Sequence, residues 1–395
     1  MCLLWQIVVR LTYRAGPDYA LRLMEFGVFV QGHVPRRRTA ADPDFEHKAL
    51  MGDMEIVKAA DRSGFKYAWA SEHHFLDEYS HLSASEVFLA YAAGVTSNIH
   101  LGSAIWNLNP QVNHPYRLVE RVTMMDHVSE GRFELGVGRG AGHHEVTGFG
   151  IESTDATKEP FEEVLHEIPK MFRDSEYEFH GRFFDAPKRN VLPKPWKKPH
   201  PPIWQACGNP PTFAKAGQKG IGAIGFNFSA APQMAPMIEA YKKAVANADP
   251  IGDYVNDNVM ITNTVICLED GARARQVAAD MGSGLQVSLV YRYHTTFPKP
   301  PGIPEWPTLL PDPTIEEVEQ RIKAGYLLCG TPDEVLEQIK KYDEVGADQI
   351  VFGLPVDMPL DAAIESVELF GKHVLPHFDK DPVHRSSKFR DAAAG

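Results

Sequence analysis

The chain has 395 residues, of which 44% are hydrophobic and 23% are charged, a balance typical of folded globular proteins. Its formal net charge of -12 argues against nucleic acid or an anionic membrane as a partner, because both attract an excess of Lys and Arg. The 4 cysteines include no Cys-x-x-Cys pair, so neither a disulfide framework nor a zinc knuckle is indicated, and a cytoplasmic location is expected. No apolar stretch is long enough to span a membrane.

The first predicted elements are a strand and a helix that follow an N-terminal extension. Residues 1–23 lack the basic start and apolar run of a signal peptide, so we expect an extension that is disordered or loosely packed. The apolar run 22–30 predicts the first strand. Residues 45–63 place apolar side chains at helical spacing and stop at Gly64, which predicts a helix.

The second predicted strand, 65–70, leads into the run Glu72-His73-His74. An imidazole changes its charge close to neutral pH, so these histidines could transfer protons. Two alternatives stay open, a structural histidine held by hydrogen bonds and a zinc site with ligands from other strand ends. The residues that could complete such a zinc site are His143, His144 and Glu145.

Further along, a helix over 84–93 precedes a strand over 99–105, and a helix over 114–127 precedes a strand over 132–137. The last of these runs into Gly136-Val137-Gly138-Arg139-Gly140. Glycines let a backbone approach an anion closely, and an arginine adds a guanidinium suited to phosphate. The spacing is not the dinucleotide-binding fingerprint, and a simple tight turn is the alternative.

A hairpin insertion is predicted over 177–198, where a His-Gly turn separates two aromatic runs. A strand over 203–206 then enters Cys207-Gly208-Asn209-Pro210-Pro211-Thr212 at the start of a helix. Free backbone N–H groups at a helix start can bind phosphate, and barrels often bind phosphate at this position. Nothing in the local sequence marks Cys207 as a nucleophile.

The rest of the chain continues the alternation of strands and helices. Strands are predicted over 222–226, 259–268 and 349–353, and helices over 233–246, 332–345 and 359–370. An insertion near 283–313, rich in proline from residue 297, is expected to form a lid. Residues 376–395 are expected to form a C-terminal tail.

About eight strands with helices between them predict an α/β fold, a single (β/α)8 TIM barrel with insertions over residues 24–375. In such a barrel the loops that follow the strands share one face, which carries the functional residues. The histidine run after the second strand and the glycine-arginine run after the fourth are therefore expected to belong to one site.

Several sequence blocks, taken in order, resemble the bacterial luciferase-like flavin-dependent monooxygenase family. The blocks are Gly64-Phe65, Glu72-His73-His74-Phe75, Asn98 to Ala104, His114-Pro115, Met125 to Arg132, Gly136 to Gly140, Phe149-Gly150, Gly330-Thr331-Pro332 and Gly346-Ala347-Asp348. The resemblance implies a homodimeric barrel that binds FMN or FMNH2, with reduced flavin supplied by a separate NAD(P)H:flavin reductase. It also implies that O2 is activated as a C4a-(hydro)peroxyflavin, which oxygenates a small organic substrate such as an aldehyde or ketone.

The same resemblance implies roles for individual residues. His73 would be the active-site base or the group that stabilises the peroxyflavin. Ser103-Ala104 corresponds to a place where family members often hold a non-proline cis peptide under the flavin ring. No metal ligand is implied. The implied flavin-binding residues are Glu72, Ser103, Ala104, Trp106, Asn107, Gly138, Arg139, Gly140, Cys207, Gly208, Asn209 and Thr212.

Three other functions remain as alternatives. The first is an oxidoreductase that uses the deazaflavin F420 on the same barrel, in which hydride transfer replaces oxygen activation. The second is a zinc-dependent barrel hydrolase that uses His73, His74 and His143. The third is a protein that stores flavin without catalysis. The sequence does not identify the substrate, because the fold alone does not select a chemistry.

Overall fold

The computed structural model describes residues 24–140, 142–226, 229–296, 299–353 and 357–394. The expected N-terminal extension, 1–23, lies outside the described residues, as does the start of the Pro-rich run, 297–298. The strands in chain order are β1 (Glu25–Val30), β2 (Tyr67–Ala70), β3 (His100–Ser103), β4 (Trp106–Asn107), β5 (Phe133–Gly138), β6 (Tyr177–His180), β7 (Asp185–Arg189), β8 (Ile203–Cys207), β9 (Gly222–Gly225), β10 (Val259–Asn263), β11 (Val265–Cys267), β12 (Leu328–Gly330) and β13 (Gln349–Gly353).

Helices cover the outside of the strands and close both ends. In chain order they are α1 (Arg36–Ala41), α2 (Phe45–Arg62), α3 (Ser85–Val95), α4 (Pro115–Val128), α5 (His143–Gly148), α6 (Lys158–Arg173), α7 (Pro210–Gln218), α8 (Ala231–Val245), α9 (Gly271–Asp280), α10 (Ser283–Tyr293), α11 (Ile315–Ala324), α12 (Pro332–Val345), α13 (Leu360–His373) and α14 (Arg385–Ala394). Short 3-10 turns lie at Asp155–Thr157 and Leu375–His377.

The main sheet closes on itself as a parallel barrel. Its strands pair in the order β3-β2-β1-β13-β10-β9-β8-β5-β4, and β3 also pairs with β5. Because β3 and β4 occupy one position in the ring, the barrel has eight strand positions, and the predicted (β/α)8 fold is confirmed. The hairpin predicted over 177–198 is also present, as β6 paired with β7 in antiparallel fashion.

The barrel interior is packed with aromatic and aliphatic side chains. The members of this inner cluster are Phe29, Tyr67, Trp69, Ala104, Trp204, Ile224, Met260 and Val351. Trp69 and Trp204 meet edge to face with ring centroids 5.3 Å apart. A Cβ on Gly102 would lie 2.1 Å from the Trp69 ring, so only glycine fits beside this indole. The interior is therefore a core, and a ligand site must lie at an end of the barrel.

Two predicted strands are each divided in the structure. The third is broken between Ser103 and Trp106, where the Ala104-Ile105 peptide is cis. This bond is one residue beyond Ser103-Ala104, the place indicated by the family resemblance. The strand predicted over 259–268 splits into β10 and β11, because β11 leaves the barrel and pairs with β12.

The residues expected to form a C-terminal tail contain helix α14, which covers the amino-terminal end of the barrel. Ser386 donates a hydrogen bond to the buried carboxylate of Glu134, and Arg390 donates to the Gly131 carbonyl oxygen at 2.8 Å. The His384 ring, just before the helix, stacks on His100 with centroids 3.7 Å apart. These contacts with early strands could not be read from the local sequence.

Within the residues that the structure describes, no helix is both long and apolar enough to cross a membrane.

The insertion predicted near 283–313 consists of α10 followed by the Pro-rich run. Leu285 and Leu289 of α10 pack against Leu76 and Tyr79 from the loop after β2. This helix, α10, therefore lies over the carboxyl-terminal end of the barrel.

Candidate functional site

The predicted site residues follow four strand positions that are neighbours in the barrel. Ala70 of β2 is paired with Ser103, Asn107 with Gly138, and Val137 with Gln205 of β8. Neighbouring strands lie about 4.8 Å apart, so the loops that leave them form one continuous arc. The His73, Asn107, Arg139 and Cys207 regions are thus on the same face, as the sequence predicted.

His73 is hydrogen-bonded to Glu145, which enters this arc from the short helix α5. The His73 Nδ1 atom lies 3.2 Å from Oε1 and 3.3 Å from Oε2 of Glu145. The same Oε1 accepts the backbone N–H of His74 at 2.8 Å. Burial raises the pKa of Glu145, but the charge and hydrogen bond of His73 outweigh it and the net pKa is lowered, so this carboxylate stays ionised at neutral pH.

A second imidazole-carboxylate pair lies beside the first. His74 Nε2 donates to Glu72 Oε1 at 3.3 Å. Burial lowers the pKa of His74, but the hydrogen bond and charge of Glu72 more than reverse this, and the net pKa is raised. The Glu72 side chain is buried and directed to His74. Its predicted role as a flavin ligand therefore finds no support in its contacts.

Three further side chains surround His73, and the sequence did not predict any of them as site residues. The Tyr79 ring meets the rings of His33, His73 and His294 at centroid distances of 5.8, 5.4 and 5.1 Å. Burial lowers the pKa of His33 to about 4 and that of His294 to about 3, so both are neutral at pH 7. His33 follows β1 just as His73 follows β2, so its position at a strand end could have identified it as a site residue. His294 comes from the insertion, and nothing in the local sequence marks it as a site residue.

Ser103 and Ala104 form part of the barrel wall. Ser103 Oγ donates to the Gly136 carbonyl oxygen at 2.8 Å and accepts the Gly136 N–H at 3.0 Å. A Cβ at Gly136 would lie 2.0 Å from the Ser103 carbonyl oxygen, so glycine is needed for this close approach. Ser103 thus joins two strands with its hydroxyl group, whereas Ala104 belongs to the inner cluster.

Trp106 does not lie where the family resemblance indicated. It is fully buried in the outer core, its ring packs on Phe133 at 5.2 Å, and its Nε1 donates to Ser85 Oγ at 2.8 Å. These contacts place it between the barrel and its helices, because the side chains of a strand alternate between the two faces. Asn107, the next residue, is half-buried and its Nδ2 lies near Gly140.

Arg139 extends from the glycine-rich end of β5. Its Nη1 donates to the Thr154 carbonyl oxygen at 2.6 Å and to Thr157 Oγ1 at 3.1 Å. Its remaining guanidinium nitrogens make no hydrogen bond within the described part of the chain. Gly138 packs on Ile105, and Gly140 has a φ of 84°, a conformation that favours glycine. One side of the guanidinium is anchored, and the other can face a ligand.

The loop after β8 satisfies most of its own hydrogen-bonding groups. Asn209 caps α7 by accepting the Thr212 N–H at 3.1 Å, and Thr212 Oγ1 accepts the N–H groups of Gly208 and Asn209 at 3.1 and 3.2 Å. Cys207 is buried, and burial raises the pKa of its thiol to about 12. An anion bound here would have to replace hydrogen bonds of Thr212, and the Cys207 thiol already donates to the Gln205 and Thr212 carbonyl oxygens.

The residues that could complete a metal site have separate contacts. Among the residues that the structure describes, no group of three or more His, Cys, Asp or Glu side chains is arranged to hold a metal ion. His144 Nε2 donates to the Phe75 carbonyl oxygen at 3.0 Å, and Glu145 is bonded to His73. The geometry instead provides a histidine paired with a carboxylate, an arrangement suited to proton transfer.

The chain is similar in sequence to known flavin-dependent enzymes. A family model described as luciferase-like monooxygenase matches residues 24–349. The oxygenase component of flavin-dependent trigonelline monooxygenase from Acinetobacter baylyi is 24% identical over 381 residues, which cover 92% of this chain and 98% of that protein.

Two solved structures have the same fold, and their names give different cofactors. One is the oxygenating constituent of 3,6-diketocamphane monooxygenase from Pseudomonas putida, in complex with FMN. It superposes with a TM-score of 0.70 at 20% identity, and the match covers 90% of this chain and 98% of that chain. The coenzyme F420-dependent tetrahydromethanopterin reductase from Methanopyrus kandleri gives a TM-score of 0.63 at 18% identity, covering 90% of this chain and 100% of its own.

Proposed function

This chain belongs to the luciferase-like monooxygenase family, and from that premise we propose that it is an FMNH2-dependent oxygenase acting on a small organic substrate such as an aldehyde or ketone. The predicted enzyme class, an oxidoreductase of the monooxygenase type, is confirmed by this membership. The observation that carries the proposal is the His73–Glu145 pair at the carboxyl-terminal end of the barrel. We further propose that a separate NAD(P)H:flavin reductase supplies FMNH2 in the cytoplasm; the relative named as the oxygenase component of a flavin-dependent monooxygenase supports a division into components.

The side chains at the strand ends fit a flavin, which combines an aromatic ring system, amide-like groups and a phosphate. Phe29 and Phe226 lie with ring centroids 5.1 Å apart and offer an apolar wall. Gln31 Oε1, at the end of β1, is a buried acceptor with no hydrogen-bond partner among the described residues, so it can receive an N–H group. Arg139 would hold the phosphate. When bound, the reduced flavin supplies the electrons that activate O2.

The side chains of the chain itself would position groups and handle protons. His73 Nε2 makes no hydrogen bond within the described residues, and the side chain is 17% exposed, so it can contact a ligand. The neutral rings of His33 and His294 add no charge next to it. We propose that α10 and the Pro-rich run form a lid that excludes water from this site.

Replacing Arg139 with Ala should weaken FMN binding but leave riboflavin binding almost unchanged. A hydrogen bond to a charged group contributes about 1.5–3 kcal/mol, which corresponds to roughly a 10–100-fold larger Kd for FMN. Flavin fluorescence titration measures both ligands, and riboflavin is the control because it lacks the phosphate. Arg182→Ala, at an exposed arginine paired with Glu159, should leave both constants unchanged. An equal loss for both flavins would contradict the phosphate contact.

We also propose that the protein forms a homodimer through α3 and α4. The two helices expose an apolar stripe at helical spacing, Val87, Tyr91 and Val95 on the first and Met124 and Val128 on the second. Val87 keeps 68% of its exposure, and an apolar patch of this kind is typical of a protein interface. A second copy of the same patch would cover it, as in a two-fold dimer.

Tyr91→Glu should dissociate this dimer, because it would bury an unpaired carboxylate at a cost of several kcal/mol. Sedimentation velocity should show a dimer for the wild-type protein and a monomer for the variant, with a dimer Kd raised by at least about a hundredfold. Leu309→Glu, an exposed apolar residue outside α3 and α4, is the matched control and should stay dimeric. A wild-type monomer, or an unaffected Tyr91→Glu dimer, would exclude this interface.

The second candidate function is an F420-dependent oxidoreductase, favoured by the structural likeness to an F420-dependent reductase. Titration with FMN, FMNH2 and F420, followed by O2 consumption with a flavin reductase and NADH, separates the two. We expect FMNH2 to bind and O2 uptake to depend on the protein. Tight binding of F420 with no effect on O2 uptake would replace the oxygenase by the hydride-transfer function.

A further inference from the structure

We infer that Glu145 is a positioning residue that fixes the tautomer and orientation of His73, so that Nε2 is the nitrogen that meets the reacting groups. The inference rests on the proposed role of His73, but the tautomer itself can be observed without any cofactor. Nothing in the predicted site assigned Glu145 this role, since the sequence suggested it only as an alternative metal ligand.

The hydrogen bonds determine which ring nitrogen carries the proton. Both carboxylate oxygens of Glu145 lie within 3.3 Å of His73 Nδ1. An ionised carboxylate can only accept hydrogen bonds, so Nδ1 must be the protonated nitrogen. In the neutral ring this leaves Nε2 with a free lone pair, able to accept a proton. Without the carboxylate, either nitrogen could carry the proton.

The carboxylate is itself held by the loop that carries His73. Its Oε1 accepts the His74 backbone N–H at 2.8 Å, in addition to the bond with His73. Glu145 is only 7% exposed, so it is shielded from water that would compete for these bonds. Removing the carboxylate would therefore free both the imidazole and the adjacent backbone, whereas a shorter carboxylate could keep part of the contact.

The glycine-rich run after β5 explains how Glu145 reaches His73. Gly140 adopts a φ of 84°, a conformation that favours glycine. At Gly142 a Cβ would lie 2.1 Å from the Tyr293 carbonyl oxygen, so glycine lets α5 fit beneath the end of α10. Gly142 thus allows the close packing that places Glu145 between His73 and the end of α10.

The test is the tautomer of His73 in the full-length protein without flavin. Protein labelled with ¹⁵N-histidine is studied by long-range ¹H–¹⁵N correlation, and the His73 signals are identified by their loss in His73→Gln. In the wild-type protein we expect Nδ1 to be protonated. Glu145→Ala and the isosteric Glu145→Gln should give a mixed or reversed tautomer, and Glu145→Asp should restore part of the wild-type pattern. An unchanged tautomer in both Glu145→Ala and Glu145→Gln would overturn the inference.

The matched control is Glu72→Gln, which removes the carboxylate bonded to His74 and should change the His74 signals but not those of His73. Oxygenation of an aldehyde or ketone by the FMNH2-loaded protein, measured as product formed, gives a second readout. Glu145→Ala should slow it at least tenfold with an FMN Kd within about twofold of wild type, and His73→Ala/Glu145→Ala should be no slower than His73→Ala. A changed tautomer with no kinetic effect in any of these variants would overturn the role of His73 and leave the positioning intact.

Discussion

Replacing Lys66 with Met is expected to lower the free energy of unfolding by about 3–5 kcal/mol, the cost of removing one partner from a buried ion pair. Lys66 Nζ donates to Glu25 Oε1 at 2.8 Å, to Asp379 Oδ1 at 3.1 Å and to the Val383 carbonyl oxygen at 3.1 Å. The side chains of all three ionised residues are less than a tenth exposed. The substitution would therefore leave two buried carboxylates without a cation.

The effect should depend on pH. Burial raises the pKa of Glu25 and of Asp379, and Lys66 opposes this rise, so both pKa values should increase further in the variant. A carboxyl group whose pKa is higher in the folded protein than in the unfolded chain binds more protons in the folded state. The free energy of unfolding therefore falls as pH rises above the unfolded pKa. The unfolded chain titrates alike in both proteins, so the difference between wild type and Lys66→Met should be largest at neutral pH and shrink as pH falls through the raised folded pKa values of Glu25 and Asp379.

Urea unfolding at several pH values, followed by circular dichroism, measures this difference. Lys388→Met is the matched control, because Lys388 pairs with Asp381 in the same C-terminal segment but is 47% exposed. Exposed pairs contribute about 0–1 kcal/mol, so the control should unfold almost like the wild type. Equal midpoints for the two variants would contradict the view that residues 379–394 close the barrel through this buried pair.

Local patterns were sufficient for the barrel itself. Most strands read as short apolar runs followed by turn residues, and parallel strands that are buried on both faces have this pattern. The helix predicted over 332–345 is present as α12, and Thr331 caps it with a reciprocal bond to Glu334. The position of His73 at a strand end also followed from local sequence and from the face that barrels use.

Contacts between segments that are distant in the chain could not be predicted from local sequence patterns. Helix α14 has a polar sequence, and its place under the barrel depends on Glu134 and Gly131, some 250 residues away in sequence. The orientation of Trp106 was also misjudged, because the break at Ala104-Ile105 shifts the alternation of the strand. Glu145 has a carboxylate that suits many roles, and only its bond with His73 selects one.

Replacing His73 with Ala is expected to slow oxygenation by about 10²–10⁴-fold, the usual contribution of a positioned acid-base group. The FMN Kd should change less than about threefold, since we propose that Arg139 holds the phosphate, and the side-chain hydrogen bond of His73 is to Glu145. His166→Ala, in which the lost imidazole is exposed on α6 and bonds its own helix at Glu162, is the matched control.

The measurement combines FMN titration with O2 uptake and H2O2 release in the presence of a flavin reductase, NADH and a panel of aldehydes and ketones. With His73 present, a substrate should divert consumed O2 from H2O2 into product. In His73→Ala, O2 uptake should continue while nearly all of it appears as H2O2, because flavin binding persists and the proton-transfer group is gone. If the variant instead forms product as fast as His166→Ala, His73 is a structural histidine, and the Glu145 contact serves the fold alone.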